Sequence, residues 1–181
     1  MKKFKLVPFL DNGLGASIDF RVEIDWGFDA SELMVQFVVT GAIDQLQIPS
    51  VSDTPRRRIG LWETTCVEFF LGSTGQENYW EVNLSPSGDW NVFRLDRYRE
   101  NLREEPVMER LPFRVERKDD RMTIDVLLDI QTLGLCRDTI ELSVTSVLEE
   151  LTGDISYWAV AHAGETADFH LRKSFVISGL G

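Results

Sequence analysis

The chain has 181 residues, 43% hydrophobic and 10% aromatic, the length of one domain with enough apolar material for a full core. With 27% charged residues, 11 Phe, 5 Trp and 3 Tyr it is too aromatic for a disordered chain, and no apolar run approaches the ~18 residues of a membrane-spanning helix. Acidic residues number 30 against 19 basic, a net charge of −11 that repels a phosphate backbone and an anionic lipid surface, so neither nucleic acid nor a membrane is an expected partner.

The first eleven residues start basic, but their apolar stretch is short, carries Pro8 and meets Asp11 without a small-residue cleavage site, so no signal peptide is expected. Cys66 and Cys136 are far apart and read as reduced core thiols, which suits a cytoplasmic address. From Ser17 to Trp26, Ile18, Phe20, Val22, Ile24 and Trp26 alternate with Asp19, Arg21, Glu23 and Asp25, the pattern of a strand with one buried and one wet face. Glu32 to Thr40 is a second strand, and its nearly continuous run from Leu33 to Val39 predicts cover on both sides. Ile48 to Gly60, with two prolines, is a loop.

Thr65 to Leu71, Tyr79 to Leu84 and Trp90 to Leu95 read as three successive strands, the last two joined as a hairpin across Ser85-Pro86-Ser87-Gly88-Asp89. Arg97 to Glu105 is polar and helix-forming, and predicts a short helical turn ending at Pro106. Phe113 to Glu116, Met122 to Leu128, Ile140 to Thr145, Ser156 to Ala161 and Ser174 to Ile177 complete the strands. With no repeat or linker, the pattern predicts a single all-β domain over 1–181, an antiparallel β-sandwich of two packed sheets with one short helix.

For chemistry, the chain lacks a Gly-x-Ser-x-Gly elbow and a phosphate-binding glycine loop. Its two histidines, His162 and His170, share a loop with carboxylates at a spacing that matches no zinc pattern, so they read as backbone-bonding residues or contacts to a neutral ligand. Glu68 and Glu81 fall on neighbouring strands, facing away from Val67, Phe69, Val82 and Leu84. With Asn83 they could be ordinary outward polar positions or a ligand-binding set, and the two carboxylates could be the acid and nucleophile of a glycosidase. No catalytic residue is assigned. Trp80 shares its parity with Val82 and Leu84 and is expected in the core, as are Trp26 and Trp158, whereas Trp90 opens a strand after a turn and is a candidate ligand contact. Arg56-Arg57-Arg58 is either a solvated charge run or a fork for a uronate or phosphate.

The segments Leu61-Trp62-Glu63-Thr64-Thr65-Cys66-Val67-Glu68-Phe69-Phe70-Leu71 and Tyr79-Trp80-Glu81-Val82-Asn83-Leu84-Ser85-Pro86-Ser87-Gly88-Asp89-Trp90 resemble the central strands of DOMON-like domains, in the branch related to family 9 carbohydrate-binding modules. Met122 to Leu128 with Leu133-Gly134, then Ser156 to His162, Asp168-Phe169-His170 and Ser174-Phe175, are similar to that family's later motifs. The resemblance implies a non-catalytic domain that binds a sugar or sugar acid. Trp62 would be the aromatic ahead of the Glu strand, Glu68 the charged acceptor, and Glu81 with Asn83 the polar pair on the next strand. The second clamp aromatic has no Trp at its place, where His162, Phe169 and His170 stand instead. Other DOMON branches bind haem through Met and His, and Met34, Met108 and Met122 are available, but no motif supports haem or calcium, and no cofactor is expected. A protein-interaction module with a decayed sugar site is the competing expectation.

Overall fold

A computed structural model describes residues 1–10, 15, 17–27, 29 and 31–180; Asp11 lies outside them. Eleven strands form one antiparallel ladder: β1 (Lys2–Pro8), β2 (Ile18–Trp26), β3 (Glu32–Gly41), β4 (Cys66–Ser73), β5 (Tyr79–Leu84), β6 (Trp90–Leu95), β7 (Arg103–Glu104), β8 (Phe113–Lys118), β9 (Arg121–Asp129), β10 (Ile140–Glu149) and β11 (Ile155–Ala159). Their spatial order is β7-β6-β5-β4-β10-β11-β1-β2-β3-β9-β8.

Two separate sheets were the expectation from strand pattern, and β1 is the reason there is one ladder. Its first residues, Lys2 to Leu6, pair with β2, while Val7 and Pro8 pair with Ala159 and Trp158 of β11. The sheet curls about this shared strand until its halves face each other: Phe20 of β2 lies 6.0 Å from Trp158 of β11, and Phe37 of β3 lies 6.5 Å from Phe69 of β4, centroid to centroid. The alternation explains which side chains meet. Phe20, Val22, Ile24, Leu33, Val35 and Phe37 from one half, and Val67, Phe69, Leu71, Trp80, Val82 and Val144 from the other, form a continuous buried cluster.

Four local expectations are corrected. The β3 run is not covered on both sides, because Met34 is 39% exposed beside the 44% exposed Leu127 of β9. The strands covered on both faces are β4, β5 and most of β6. Arg97 to Glu105 is not helical. It is a tight turn closed by an Arg97–Glu100 bridge and followed by β7, with Arg99 and Asn101 left-handed at φ 53° and 55°; among the described residues every helical segment is a short 3-10 turn. Ser174 to Ile177 contributes only an isolated bridge between Ile177 and Leu142 after a 3-10 turn over Arg172–Ser174, and Cys136 is an exposed thiol rather than a core one.

Trp158 joins the halves: it is 1% exposed, packs on Phe20, and its indole N–H donates to Ser156 Oγ at 2.9 Å. Trp158→Ala is expected to cost about 3–5 kcal/mol, read as a lowered urea midpoint, because the cavity left behind cannot collapse between two hydrogen-bonded halves.

Candidate functional site

The face of β4, β5 and β10 that points away from the main core carries a different set of residues. Glu68 pairs with Asn83 and Thr145, and Phe70 with Glu81 and Ser143, so the strand period places Glu68, Phe70, Tyr79, Glu81, Asn83 and Thr145 side by side. On an open sheet such residues would be wet. Here Glu68 is 2% exposed, Glu81 4% and Asn83 0%, which excludes the reading of them as outward solvated positions.

Three pieces of chain cover them. The 3-10 turn Leu61–Glu63 brings the half-buried Trp62 edge-on to Phe93 of β6, centroids 5.7 Å apart. The left-handed turn after β6 folds back until the Arg99 backbone N–H donates to the Tyr79 hydroxyl at 3.2 Å. The segment after β11 docks through aromatic contacts, His170 on Phe70 at 5.3 Å and Phe175 on Tyr79 at 5.7 Å, while Phe169 meets Tyr157 at 6.0 Å. Asp168 ties two of these pieces together: its carboxylate accepts from the Tyr98 hydroxyl at 2.6 Å, the Arg99 guanidinium at 2.9 Å and the His170 backbone N–H at 3.0 Å. That anchoring offsets the roughly 1–2 kcal/mol cost of a left-handed Arg99.

Between these pieces lies a cavity of about 570 Å³, within the range of small-molecule sites. Glu68 and Glu81 lie in its lining, with Trp62, Phe70, Tyr157 and Phe169 as aromatic walls and Arg99 and His170 at the rim. The carboxylates are only half satisfied. Glu68 Oε2 accepts from Thr145 at 3.3 Å and Glu81 Oε1 from Asn83 at 2.8 Å, while Glu68 Oε1, Glu81 Oε2 and Asn83 Oδ1 are buried with no donor. Buried acceptors left this way cost folding free energy, and such orphaned groups ask for an explanation.

Histidine chemistry follows from Tyr79. Its hydroxyl accepts from the Arg99 backbone N–H and shares a hydrogen bond with His170 Nδ1 at 2.9 Å, whose direction follows the imidazole tautomer. His170 Nε2 lies 3.9 Å from Glu81 Oε2, too far for a hydrogen bond. Burial holds His170 neutral, its pKa pushed down to about 4, helped by the Arg99 charge and opposed by Asp168. Burial likewise raises both carboxyls. Glu68 goes well above the ordinary carboxylic range, pushed further by the Glu81 charge, whereas Asn83 and Arg99 oppose the rise at Glu81. The pair therefore keeps a proton beyond the pH at which free carboxylic acids have lost theirs.

Of the residues singled out from sequence, Trp62, Glu68, Glu81 and His170 line this one cavity, and Asn83 orients Glu81 from behind. Two are elsewhere. Trp90 is a core residue, 8% exposed and covered by the Arg57 guanidinium 4.8 Å from its ring, because both its backbone groups pair with the Arg56–Arg58 strand edge. His162 donates from Nε2 to the Val7 carbonyl at 2.9 Å and packs on Phe9, outside the lining. The arginine triplet is also outside it: Arg57 bonds the Glu105 and Met108 carbonyls, and Arg58 pairs with Asp89 at 3.1 Å. Met108 and Met122 are in the core and Met34 is on the outer face of β3. No cluster of three His, Cys, Asp or Glu able to hold a metal occurs among the described residues. Arg99, Tyr157, Phe70 and Asp168 were given no site role from sequence, although Phe70 shares the parity of Glu68.

No family model matches the sequence, and no curated protein does either. Solved structures do. A Bacteroides uniformis protein, described provisionally as carbohydrate-binding, is 14% identical and matches with a TM-score of 0.68 over 97% of this chain and 84% of its own. The fold is shared with that protein. A family 9 carbohydrate-binding module from Caldicellulosiruptor kristjanssonii, in complex with glucose, is also similar, at 12% identity and a TM-score of 0.41 over 78% of this chain and 66% of its own. No helix among the described residues is long and apolar enough to cross a membrane.

The two kinds of titrating group predict opposite pH slopes of stability. His170, lowered in the folded state from 6.5 to about 4, contributes stability that is fully present above pH 6.5 and is lost as pH falls through 4. Glu68 and Glu81, raised above the ordinary carboxylate value of 4.5, contribute stability present below that value and lost as pH rises through their folded pKa values. Each proton retained by the carboxyls contributes a slope of at most about 1.4 kcal/mol per pH unit. The urea midpoint of the wild type is expected to fall relative to that of Glu68→Gln as pH rises above 4.5.

Proposed function

We propose that this chain is a non-catalytic carbohydrate-binding domain whose sugar occupies the cavity between Trp62 and Phe169. One observation carries the reading: half-satisfied, fully buried carboxyls of Glu68 and Glu81 stand in a cavity whose walls are aromatic. A pyranose presents apolar C–H faces and a rim of hydroxyls. Aromatic rings take the first by burial and dispersion, and the orphan carboxyl oxygens take hydrogen bonds from the second. The fold match to a protein described provisionally as carbohydrate-binding supports the same reading. Phe169 and Tyr157 would supply the wall opposite Trp62 for which the sequence offers no second Trp.

A binding role, rather than glycoside cleavage, suits the surroundings of the two carboxyls. A retaining or inverting hydrolase needs one acid and one ionised base or nucleophile placed on either side of the scissile bond. Here Glu68 and Glu81 are diagonal neighbours on one face of β4 and β5, each tied by a second-oxygen hydrogen bond to a neighbouring strand residue.

Tryptophan fluorescence titrated with mono- and oligosaccharides is expected to show a saturable change that reports on Trp62. Trp62→Ala and Phe169→Ala, each confirmed folded by circular dichroism, are each expected to weaken binding about tenfold, the loss of roughly 1.4 kcal/mol of stacking. No response across neutral, acidic and amino sugars at millimolar concentration would overturn the reading. Chromogenic glycosides are expected to show no turnover with the wild-type protein, and cleavage abolished by Glu81→Gln would show the binding assignment to be wrong.

A further inference from the structure

The donors and acceptors around the cavity do not balance. The Thr145 hydroxyl is spent on Glu68 Oε2, the Asn83 amide on Glu81 Oε1, and the Arg99 guanidinium on Asp168. His170 Nε2 stops 3.9 Å short of Glu81 Oε2. What remains is Glu68 Oε1 and Glu81 Oε2, two buried carboxyl oxygens on adjacent strands, with no donor of this chain in hydrogen-bond reach. Charge is unbalanced in the same sense. Arg99 pairs with Asp168 at 2.9 Å and its charge reaches Glu81 without a hydrogen bond, while His170 is held neutral, so no ion pair on the lining answers the two glutamates.

A ligand that completes this site must bring donors and positive charge. A neutral hydroxyl brings two acceptor lone pairs with its one donor and no charge. A uronate adds a third carboxylate, and the arginine triplet Arg56 to Arg58 lies outside the cavity. An N-acetyl amide brings one N–H, a carbonyl and no charge. An ammonium has three donors, no lone pair and a full positive charge, and aromatic faces such as Trp62, Tyr157 and Phe169 favour it further. We propose that the cavity selects an amino sugar in its ammonium form, the nitrogen held between Glu68 Oε1 and Glu81 Oε2 and the ring against Trp62. This inference rests on the carbohydrate reading and narrows it to a substrate class.

The proton balance makes the proposal testable. In the empty site burial disfavours ionising both glutamates and so favours a proton on the pair. As the ammonium enters, that proton leaves to solvent and both carboxylates ionise, so binding releases a proton, which a neutral sugar accepting a hydrogen bond from the same acid would not do. The groups that face the pair are Cys66 beside Glu68 on β4, Tyr79 on β5, Arg99 after β6, Tyr157 on β11, and Asp168 and His170 in the C-terminal segment. Cys66 stays a neutral thiol because burial raises its pKa well above 9.0, and Tyr79 stays a phenol with its pKa raised by burial to about 12.

The experiment is calorimetric titration of the wild-type chain with glucosamine, galactosamine and mannosamine, each beside its parent hexose, from about pH 5.5 to about pH 7 in buffers of different ionisation enthalpy. At least one amino sugar is expected to bind about tenfold or more tighter than its parent at pH 7. Its affinity should climb with pH by up to about tenfold per unit, and its apparent heat should vary with the buffer as proton release requires. Glu68→Gln is expected to remove the preference for the amino sugar and the buffer dependence. Parent hexoses that bind as tightly as amino sugars overturn the ammonium proposal and leave the carbohydrate reading standing. An affinity that falls with pH overturns it in the same way. Failure of every sugar to bind overturns both. The wild-type pH and buffer series decide the matter even where Glu68→Gln does not fold.

Discussion

Everything distinctive about this molecule depends on β4, β5 and β6 being covered on both faces. A curled sheet with a single core would present Glu68 and Glu81 to water, where carboxylates are ionised, fully hydrated and unremarkable. Here one face of these strands packs Val67, Phe69, Val82 and Val92 into the main core, while the other lies beneath Trp62, the Arg99 turn and the C-terminal segment. That second cover is aromatic and incomplete. It excludes bulk water from the carboxyls without supplying the donors that water would have supplied, and it leaves a cavity of about 570 Å³.

The cost of this arrangement is borne by a small number of contacts. Asp168 clamps Tyr98, Arg99 and the start of the His170 segment, and the Tyr79 hydroxyl links Arg99 to His170. At the far end Arg172 bonds the Ser73 carbonyl and Glu141, lying over Gly72 so closely that an added Cβ would sit 1.8 Å from its guanidinium. A side chain at that position would have to displace the Arg172 guanidinium, the mobile end of its side chain, from the C-terminal cover. Together these contacts join the rim of the cavity to the strands that carry its floor, so rim and floor hold one geometry.

Much of this was legible beforehand because strand periodicity is local. The alternation in β2, the hairpin of β5 and β6, and the parity that separates Glu68 and Glu81 from Val67 and Val82 all follow from which face of a pleated strand a side chain occupies. Parity also put Trp80 in the core, where its indole N–H meets Glu105 at 2.9 Å. What parity does not say is what lies over a face. Met34 and Glu68 are both second-face residues of strands rich in apolar residues; one is exposed on the outside of β3 and the other is sealed beneath the C-terminal segment. Trp90 and Tyr157 exchange roles for the same reason, the supposed contact buried under Arg57 and an unremarked strand residue standing at the cavity.

The sequence by itself determined that this is an antiparallel β protein, which residues share a face, and that two Glu and an Asn gather on neighbouring strands with a Trp just ahead of the first. Those are matters of spacing, and spacing is written residue by residue. The curl through β1, the left-handed turn that turns Arg99 back toward Tyr79, and the docking of residues 161–175 were decided only in three dimensions, because each depends on partners distant in the chain. It is those long-range contacts that take water away from Glu68 and Glu81. Desolvation, which no local pattern encodes, sets Glu68 and Glu81 apart from an ordinary pair of strand carboxylates.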